Sequence, residues 1–231
     1  MMNASRAPKR TSTAGRRPNA ISDGREGLLD AAVDLFSERG VANTTVAQIA
    51  AAGNVTSAMV HYWFDTREKL LDAVVEERLA PLIRRIWEPA DEEREAALEL
   101  VRGIVLRWLD VTQRNSWLPS LWLREVIQEG GLLRERILSR LPRERNVAFR
   151  RNIARAQAQG EINPDISPDL LFISILALVM VPQATAKGWQ RVNPDVAVDR
   201  AQLERHIEAL LMHGLSGAKA ARRTRSPRRG G

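Results

Sequence analysis

The sequence predicts an all-α protein in which an N-terminal three-helix, helix-turn-helix head precedes a larger C-terminal helical domain. Apolar residues recur at helical spacing, three and four positions apart, along most of the chain. Capping residues, glycines and prolines stand between these apolar stretches, where helices are expected to begin and end. The chain has 231 residues, of which 44% are hydrophobic, and this is enough to build the core that such helices need.

The first predicted helix runs from Asp23 to Arg39, with Ser22 as its N-cap and Gly40 as the residue that ends it. One side of this helix is apolar along its length and is expected to pack the two helices that follow. The residues of this side are Leu28, Leu29, Ala32, Leu35 and Phe36.

Two short helices joined by a tight turn are predicted next. Thr45 and Gln48 have capping-box spacing, and Gly53 suits the left-handed conformation that ends a helix. Thr56 is a good N-cap for the second helix, which is expected to end at Tyr62. Two helices around a Gly-containing turn are typical of a helix-turn-helix, whose second helix enters the DNA major groove; a helical hairpin in an all-α core is the alternative.

The segment Val41–Phe64 contains no Lys, Arg, Asp or Glu, although phosphate binding usually relies on basic residues. Hydroxyl groups, backbone amides and polar aromatic side chains must therefore make any DNA contact from this segment. The outward face of the second helix is predicted to consist of Thr56, Ser57, Ala58, His61 and Tyr62.

A fourth helix is predicted to begin near Asp65 or Thr66, with Asp65 and Glu68 in capping-box spacing, and to end before Pro81. Arg67 and Lys69 lie beside its N-terminus, where they can touch phosphate; a simply solvated Lys69 is an equal alternative. Further helices are predicted over Asp91–Val111, Ser116–Gln128, Leu132–Arg140 and Arg143–Gln159.

The most apolar stretch of the chain, Leu170–Val181, follows a good helix start at Ser167-Pro168-Asp169. Its twelve residues would cover about 18 Å as a helix, which is too short to span a membrane. Pro182 is expected to kink or end this helix, which needs cover on most sides.

The last helix is predicted over Arg200–His213, capped by Asp199, with Val198 stapled onto Leu203 and Gly214 as its end. Its apolar stripe comprises Leu203, Ile207, Leu210 and Leu211. A helix as apolar as the preceding one favours cover by a second copy of the chain, and a fully monomeric core is the alternative.

Two basic tails are predicted to be disordered: residues 1–20, with five basic side chains, and residues 215–231, with six; neither contains an acid. The rest of the chain is net acidic, although the whole has a net charge of +7. The tails can follow DNA backbone or simply increase solubility. Between them, residues 21–66 are predicted to form the helix-turn-helix domain and residues 67–214 the larger helical domain.

Several classes of function find no support in the sequence. The chain has no Cys, its three His residues are scattered, and it contains no zinc-protease motif, P-loop or Gly-rich nucleotide loop. We therefore predict no enzyme, no catalytic residue, no cofactor and no metal. The N-terminus lacks the apolar segment of a signal peptide, which predicts a cytoplasmic protein that does not bind membranes.

The first third of the chain resembles the tetracycline-repressor (TetR) family of bacterial regulators. The resemblance covers about 50 residues, Leu28 to Val75, and rests on spaced elements in order: LLDAAVDLFSERG, then TTVAQIAAAG, then Val55-Thr56, Phe64 and Arg67-Glu68-Lys69-Leu70-Leu71. It implies a homodimer that binds a pseudo-palindromic operator in double-stranded DNA, with residues 168–186 and 199–213 at the dimer interface. It also implies a C-terminal domain that encloses a small-molecule pocket.

The resemblance also implies roles for particular residues. We expect Thr45 and Tyr62 to contact phosphate, and Trp63 to lie partly against the DNA backbone. Base edges are expected to face Thr56, Ser57, Ala58 and His61. The ligand pocket is expected to involve Trp108, Trp117, Trp122 and Phe172, although for any single tryptophan a core position is favoured. The predicted function is that of a transcriptional repressor released from its operator by a small-molecule effector; the alternative is a helical protein-interaction module without specific DNA binding.

Overall fold

The computed structural model describes residues 18–216 except 89, 92, 197 and 198, with side chains described from residue 24 onwards. All elements of secondary structure assigned in this part of the chain are helices, which confirms the all-α prediction. The predicted tails, apart from residues 18–20, 215 and 216, lie outside the described residues, as does Val198. The helices are α1 (Pro18–Arg39), α2 (Val46–Ala52), α3 (Ser57–Phe64), α4 (Arg67–Val74), α5 (Ala80–Trp87), α6 (Ala97–Arg114), α7 (Leu118–Trp122), α8 (Arg134–Leu138), α9 (Arg143–Ala158), α10 (Pro168–Val192) and α11 (Arg200–Leu215).

Helices α1, α2 and α3 form the head, and their apolar sides meet in one core. The predicted stripe of α1 is confirmed: Leu28, Leu29, Ala32 and Phe36 are buried, while Leu35 is half-buried. Two predicted bounds are wrong, because α1 begins at Pro18 rather than Asp23 and α3 continues to Phe64. The extra turn of α3 buries the Phe64 ring in the head core, which offsets the cost of ordering that turn.

The turn between α2 and α3 differs in detail from the prediction. The left-handed residue is Asn54, with φ of 53°, whereas Gly53 has a φ of −81°. Gly53 is needed for another reason: a Cβ there would lie 3.3 Å from Cα of Leu28, so glycine lets α2 approach α1 closely.

Helix α4 continues through a π-helical turn, Val75–Leu79, directly into α5, so the predicted end before Pro81 is wrong. Pro81 lies in the first turn of α5, where its missing amide N–H removes no hydrogen bond from that helix. Of the two predicted starts of α4, Thr66 is the N-cap, and its hydroxyl accepts from the Lys69 amide.

The helix predicted from Asp91 begins six residues later, at the start of α6. Asp91 accepts a hydrogen bond from the Arg94 amide, and the Glu95 carboxylate accepts one from the Asp91 amide. These local bonds hold a turn that competes with helix. Helix α7 is shorter than the predicted helix over Ser116–Gln128. It passes into a second π-helical turn, Leu123–Ile127, where the Gln128 amide donates to the Leu123 carbonyl.

Helix α10 runs for 25 residues straight through Pro182, so the twelve-residue segment predicted from the sequence covers only most of its N-terminal half. By length and composition alone α10 can cross a membrane, with a mean hydropathy of 1.8 over its most apolar 18 residues. Only 28% of that window is buried in the single chain. Next to the proline, Gln183 and Thr185 donate side-chain hydrogen bonds to the helix carbonyls of Val179 and Val181.

The final helix, α11, is capped by Asp199 as predicted, with the carboxylate accepting from the Gln202 amide at 2.7 Å. It passes the predicted end at Gly214 and stops at Leu215, whose carbonyl accepts from the Asn163 amide. Leu203, Ile207 and Leu211 are buried, but Leu210 is 51% exposed and does not belong to the buried stripe. Helix α7 packs on both α1 and α10, so the C-terminal helices contact the head directly.

Candidate nucleic-acid interface and ligand-binding core

Helix α3 is held so that one side is anchored in the head and the other faces solvent. The hydroxyl of Thr56 accepts from the Met59 amide and fixes the start of the helix, as predicted. Val60 and Phe64 are buried beneath it. The predicted outward residues are all exposed, namely Thr56, Ser57, Ala58, His61 and Tyr62. Tyr62 is 79% exposed, an unusual position for a tyrosine ring that has no role at an interface.

Thr45 lies at the start of α2, where the predicted capping box is present. Its hydroxyl accepts from the Gln48 amide, and the Gln48 side chain accepts from the Thr45 amide at 2.8 Å. An accepting hydroxyl keeps its own proton to donate, so Thr45 and Thr56 can each donate a hydrogen bond to a phosphate oxygen without losing their caps. Trp63 is half-buried, and the edge of its indole lies against Gly24 of α1.

Most of the basic side chains of the head and α4 already have partners within the protein. The segment from residue 21 to residue 79 carries five basic and ten acidic side chains. Arg25 makes two 2.6 Å hydrogen bonds to Glu77, and this pairing holds the pKa of Glu77 below its usual value. Arg78 donates to Asp30 and Glu26 of α1, each at 2.6 Å.

The two cations predicted to touch phosphate differ from each other in their surroundings. The half-buried Arg67 guanidinium donates through Nη2 to the carbonyls of Val41 and Thr44, at 2.5 and 3.1 Å. Lys69 is exposed and pairs with Asp65 at 2.8 Å, an ion pair that lowers the pKa of Asp65. The exposed Lys69 pair can open towards a phosphate at little cost, whereas moving Arg67 would break bonds that hold the head together.

The four aromatic residues predicted to line a pocket fall into two clusters. Trp108 and Trp122 are buried and meet edge to face, with ring centroids 6.0 Å apart. Phe172 instead packs on Trp87 at 4.9 Å and on Phe149 at 6.3 Å. The fourth, Trp117, is half-buried against the same core.

The cluster of Trp108 and Trp122 contains unpaired donors. Both indole Nε1 atoms are buried without a hydrogen-bond partner among the described residues. Nearby in the chain, the buried Thr112 hydroxyl donates to the Trp108 carbonyl and accepts from Gln183 of α10 at 3.0 Å. Buried polar groups are normally satisfied, so two unpaired donors mark a place where an acceptor from outside the chain would be stabilised.

Glu125 was not singled out in the sequence analysis. Glu125 is only 4% exposed, and its carboxylate accepts from the Val41 amide of the head at 2.8 Å. The signal for this burial was present in the sequence, since Glu125 stands three and four residues after Trp122 and Leu121, on the apolar side of the predicted helix.

The three histidines are spread over separate exposed positions, at His61 on α3 and at His206 and His213 on α11. Across residues 18–216, as far as they are described, no three His, Asp or Glu side chains are grouped so that they could hold a metal ion.

Comparison with known proteins identifies the head. Residues 28–74 match the family model described as bacterial regulatory proteins, tetR family. The HTH-type transcriptional regulator RutR of Escherichia coli K12 is 29% identical over 128 residues, which cover 54% of this chain and 58% of RutR. The chain thus spans little more than half the length of this relative.

The whole fold also has solved counterparts. The ketosteroid regulator KstR2 of Mycobacterium tuberculosis superposes with a TM-score of 0.65 at 21% identity, over 83% of this chain and 94% of that one. AibR, solved with isovaleryl coenzyme A and operator DNA, superposes with a TM-score of 0.64 at 22% identity, over 81% and 97% of the two chains. The match over residues 28–74 shows that the head belongs to the tetR family of bacterial regulatory proteins, and the whole chain shares the fold of solved transcriptional regulators.

Proposed function

We propose that this protein is a sequence-specific DNA-binding transcriptional regulator, and that it acts as a repressor released from its operator by a small-molecule effector. The observation that carries the proposal is the exposed side of α3, which presents hydroxyl, imidazole and phenol groups while its opposite side is buried in the head. In this proposal residues 21–66 bind DNA, and residues 67–214 bind the effector and a second copy of the chain.

Contacts to the DNA backbone position the head on the duplex. We assign Thr45, Tyr62, Lys69 and the outer edge of Trp63 to this role, because they lie at the surface of the head or beside it. Thr56, Ser57, Ala58 and His61 are assigned to base edges. Arg67 remains a candidate for phosphate only if its bonds to the α1–α2 turn open.

Replacing Tyr62 by Ala is expected to weaken binding to the operator about tenfold, because the variant cannot form one phosphate hydrogen bond or the packing of an exposed ring on the duplex. The measurement is a fluorescence-anisotropy titration against the DNA that flanks the protein's own gene, with a scrambled duplex for comparison. Tyr62→Phe, which keeps the ring and removes only the hydroxyl, is the matched control. Its affinity for the operator should lie between those of the wild type and Tyr62→Ala. Equal affinity of the wild type for both duplexes would contradict sequence-specific binding.

The N-terminal residues offer a second test. The first 17 residues carry five basic and no acidic side chains, while most cations of the head and α4 are paired within the protein. Deleting residues 1–17 is expected to flatten the dependence of log K on log salt by about 0.9 for each phosphate that these residues neutralise in the full chain. An unchanged slope would mean that these residues do not contact DNA, and the affinity would then rest on α3 and the helix termini.

A homodimer is part of the proposal, because α10 and α11 present a large apolar surface to solvent. Leu170 and Ile173 on α10 are each 60% exposed, and Leu210 on α11 is 51% exposed. An open groove of about 300 Å³ runs between these two helices, and side chains of a second copy can fill it. A two-fold dimer would also pair two heads for a pseudo-palindromic operator in the cytoplasm.

The effector is proposed to bind in the core of the C-terminal helices. Trp108 and Trp122 supply apolar walls and two unpaired N–H donors, which suit a flat or apolar molecule that carries an acceptor oxygen. Trp117 and Phe172 stay in the proposed lining, with Phe172 contributed by the separate cluster that it forms with Trp87 and Phe149. The similarity to AibR, solved with an acyl coenzyme A, supports a small-molecule effector without identifying it.

A helical protein-interaction module without specific DNA binding is the second candidate. The exposed apolar side of α10 favours it, since such a surface can bind another protein as well as a second copy. The two candidates are separated by the operator titration described above.

A further inference from the structure

A buried carboxylate joins the C-terminal helices to the head. One oxygen of Glu125, Oε1, accepts from the Val41 amide of the α1–α2 turn at 2.8 Å. The other, Oε2, accepts from the Leu132 amide at 3.0 Å. A carboxylate buried to this degree needs such charge-assisted bonds to offset its lost hydration. We refer to these two hydrogen bonds as the Glu125 bridge.

Two glycines make room for the bridge. Gly40 has a φ of +81°, a conformation that favours glycine, and a Cβ there would lie 3.4 Å from Oε1 of Glu125. A Cβ on Gly131 would lie 2.2 Å from the backbone carbonyl oxygen of Glu125, a distance that no side chain tolerates. The backbone therefore packs closely against Glu125 at both Gly40 and Gly131.

The head residue at the far end of the bridge holds the start of α2. Val41 is fully buried, and its amide bonds to Glu125 while its carbonyl accepts from Arg67 of α4. The Arg67 guanidinium also bonds to the Thr44 carbonyl, immediately before the α2 cap. Because α3 packs directly on α2, the placement of α3 depends on where Val41 is held.

The other end of the bridge lies close in the chain to the proposed effector site. Trp122, with its unpaired indole N–H, ends α7 three residues before Glu125. Between them the chain enters the π-helical turn Leu123–Ile127. Such turns interrupt the regular ladder of a helix and occur often at functional sites. A ligand that displaced Trp122 would therefore also move the Glu125 carboxylate.

We propose that Glu125 is a positioning residue that couples the C-terminal domain to the DNA-binding head. With the bridge intact, the Val41 amide and the α2–α3 pair are held in the geometry that binds DNA. Displacement of α7 breaks the bridge and lowers operator affinity. This role rests on the proposed function, because it gives the pathway by which an effector would act on α3.

The test compares Glu125→Ala, which loses both hydrogen bonds, with Glu125→Gln, which can keep the bond to Val41 but faces the Leu132 amide with its NH₂ group. Glu135→Gln changes an exposed carboxylate of α8 in the same segment and is the matched control. Amide hydrogen exchange is measured for Val41 and for residues 46–64 in the free protein. Operator affinity is measured by anisotropy at a temperature where all variants are folded.

Exchange at Val41 is expected to accelerate about tenfold or more in Glu125→Ala and less in Glu125→Gln, with smaller increases across α2 and α3. Operator affinity should fall in the same order, and the control should match the wild type. Unchanged exchange at Val41 would overturn the proposal. Faster exchange at Val41 with wild-type operator affinity would also overturn it, because the bridge would then be only structural.

The exchange measurement needs no DNA, so it tests the role of Glu125 separately from the proposed DNA-binding function. If the wild type fails to bind DNA selectively, the proposed function fails, and the exchange of α2 and α3 alone decides whether Glu125 positions them. If Glu125→Ala does not fold, Glu125→Gln carries the comparison, since it keeps the shape of the side chain and one of the two bonds.

Discussion

Replacing Ile173 by Asp is expected to convert the proposed dimer into a monomer and to weaken operator binding by roughly a hundredfold or more, because two linked heads bind far more tightly than one. Ile173 is 60% exposed in the single chain and lies three residues after Leu170, which lines the groove that α10 shares with α11. Burying an isolated carboxylate in an apolar interface is strongly unfavourable. Across a two-fold axis the substitution occurs twice, so the cost is incurred at two places.

Light scattering checks the first effect directly, since the apparent mass should fall from about twice 25.9 kDa to 25.9 kDa. The matched control is Ala154→Asp, which places the same charge at an exposed position on α9. Both variants should keep the thermal stability of an isolated chain, because neither site is buried within it. A dimer that persists in Ile173→Asp would place the interface elsewhere.

Insertion of α10 into a membrane is the alternative explanation of its exposed apolar surface, and vesicle flotation of the same two proteins tests it. If the helix inserted into lipid, the wild type would float with uncharged phosphatidylcholine vesicles, which do not attract the basic tails, and Ile173→Asp would not. For a soluble dimer, neither protein should float. The exposed apolar surface of α10 alone does not separate these cases, because a dimer face and a lipid-facing helix have the same composition.

The sequence predicted those features of the fold that depend on near neighbours. The caps at Thr45, Thr56 and Asp199 form as expected because each bond joins residues three apart. The predictions failed where distant packing decides. Pro81 was expected to follow the end of a helix, but it lies in the first turn of α5. Pro182 was expected to kink or end its helix, and α10 does not end there but continues, with side-chain bonds to nearby carbonyls.

The same division applies to the candidate site. Exposure of Ser57 and Tyr62 follows from helical periodicity once Val60 is buried, so the sequence is sufficient to predict it. The partners of Arg67 and Glu125 are 26 and 84 residues away along the chain, at Val41. No local pattern specifies such contacts. The structural roles of both residues therefore could not be predicted, and one of them was assigned to DNA.

The Arg67 side chain provides the sharpest distinction between a structural role and a DNA-binding role. In Arg67→Ala, the Thr44 carbonyl loses its guanidinium donor, whereas the Val41 carbonyl keeps the Thr44 amide at 3.2 Å. Losing charge-assisted bonds of this kind is expected to lower the free energy of unfolding by about 2–3 kcal/mol. For a chain of this length, that corresponds to a melting temperature lower by about 4–12 °C, measurable by circular dichroism.

Salt dependence then separates the two roles. If Arg67 acts within the head, Arg67→Ala lowers the melting temperature and leaves the slope of log K against log salt unchanged, because the same phosphates are still neutralised. If it binds phosphate, the slope falls by about 0.9 per protomer with little change in stability. Lys69→Ala is the comparison, and it should show this second pattern because its ion pair to Asp65 is exposed. Arg67→Lys should rescue little stability, since one ammonium on a flexible stem cannot replace a planar guanidinium that bonds to two carbonyls.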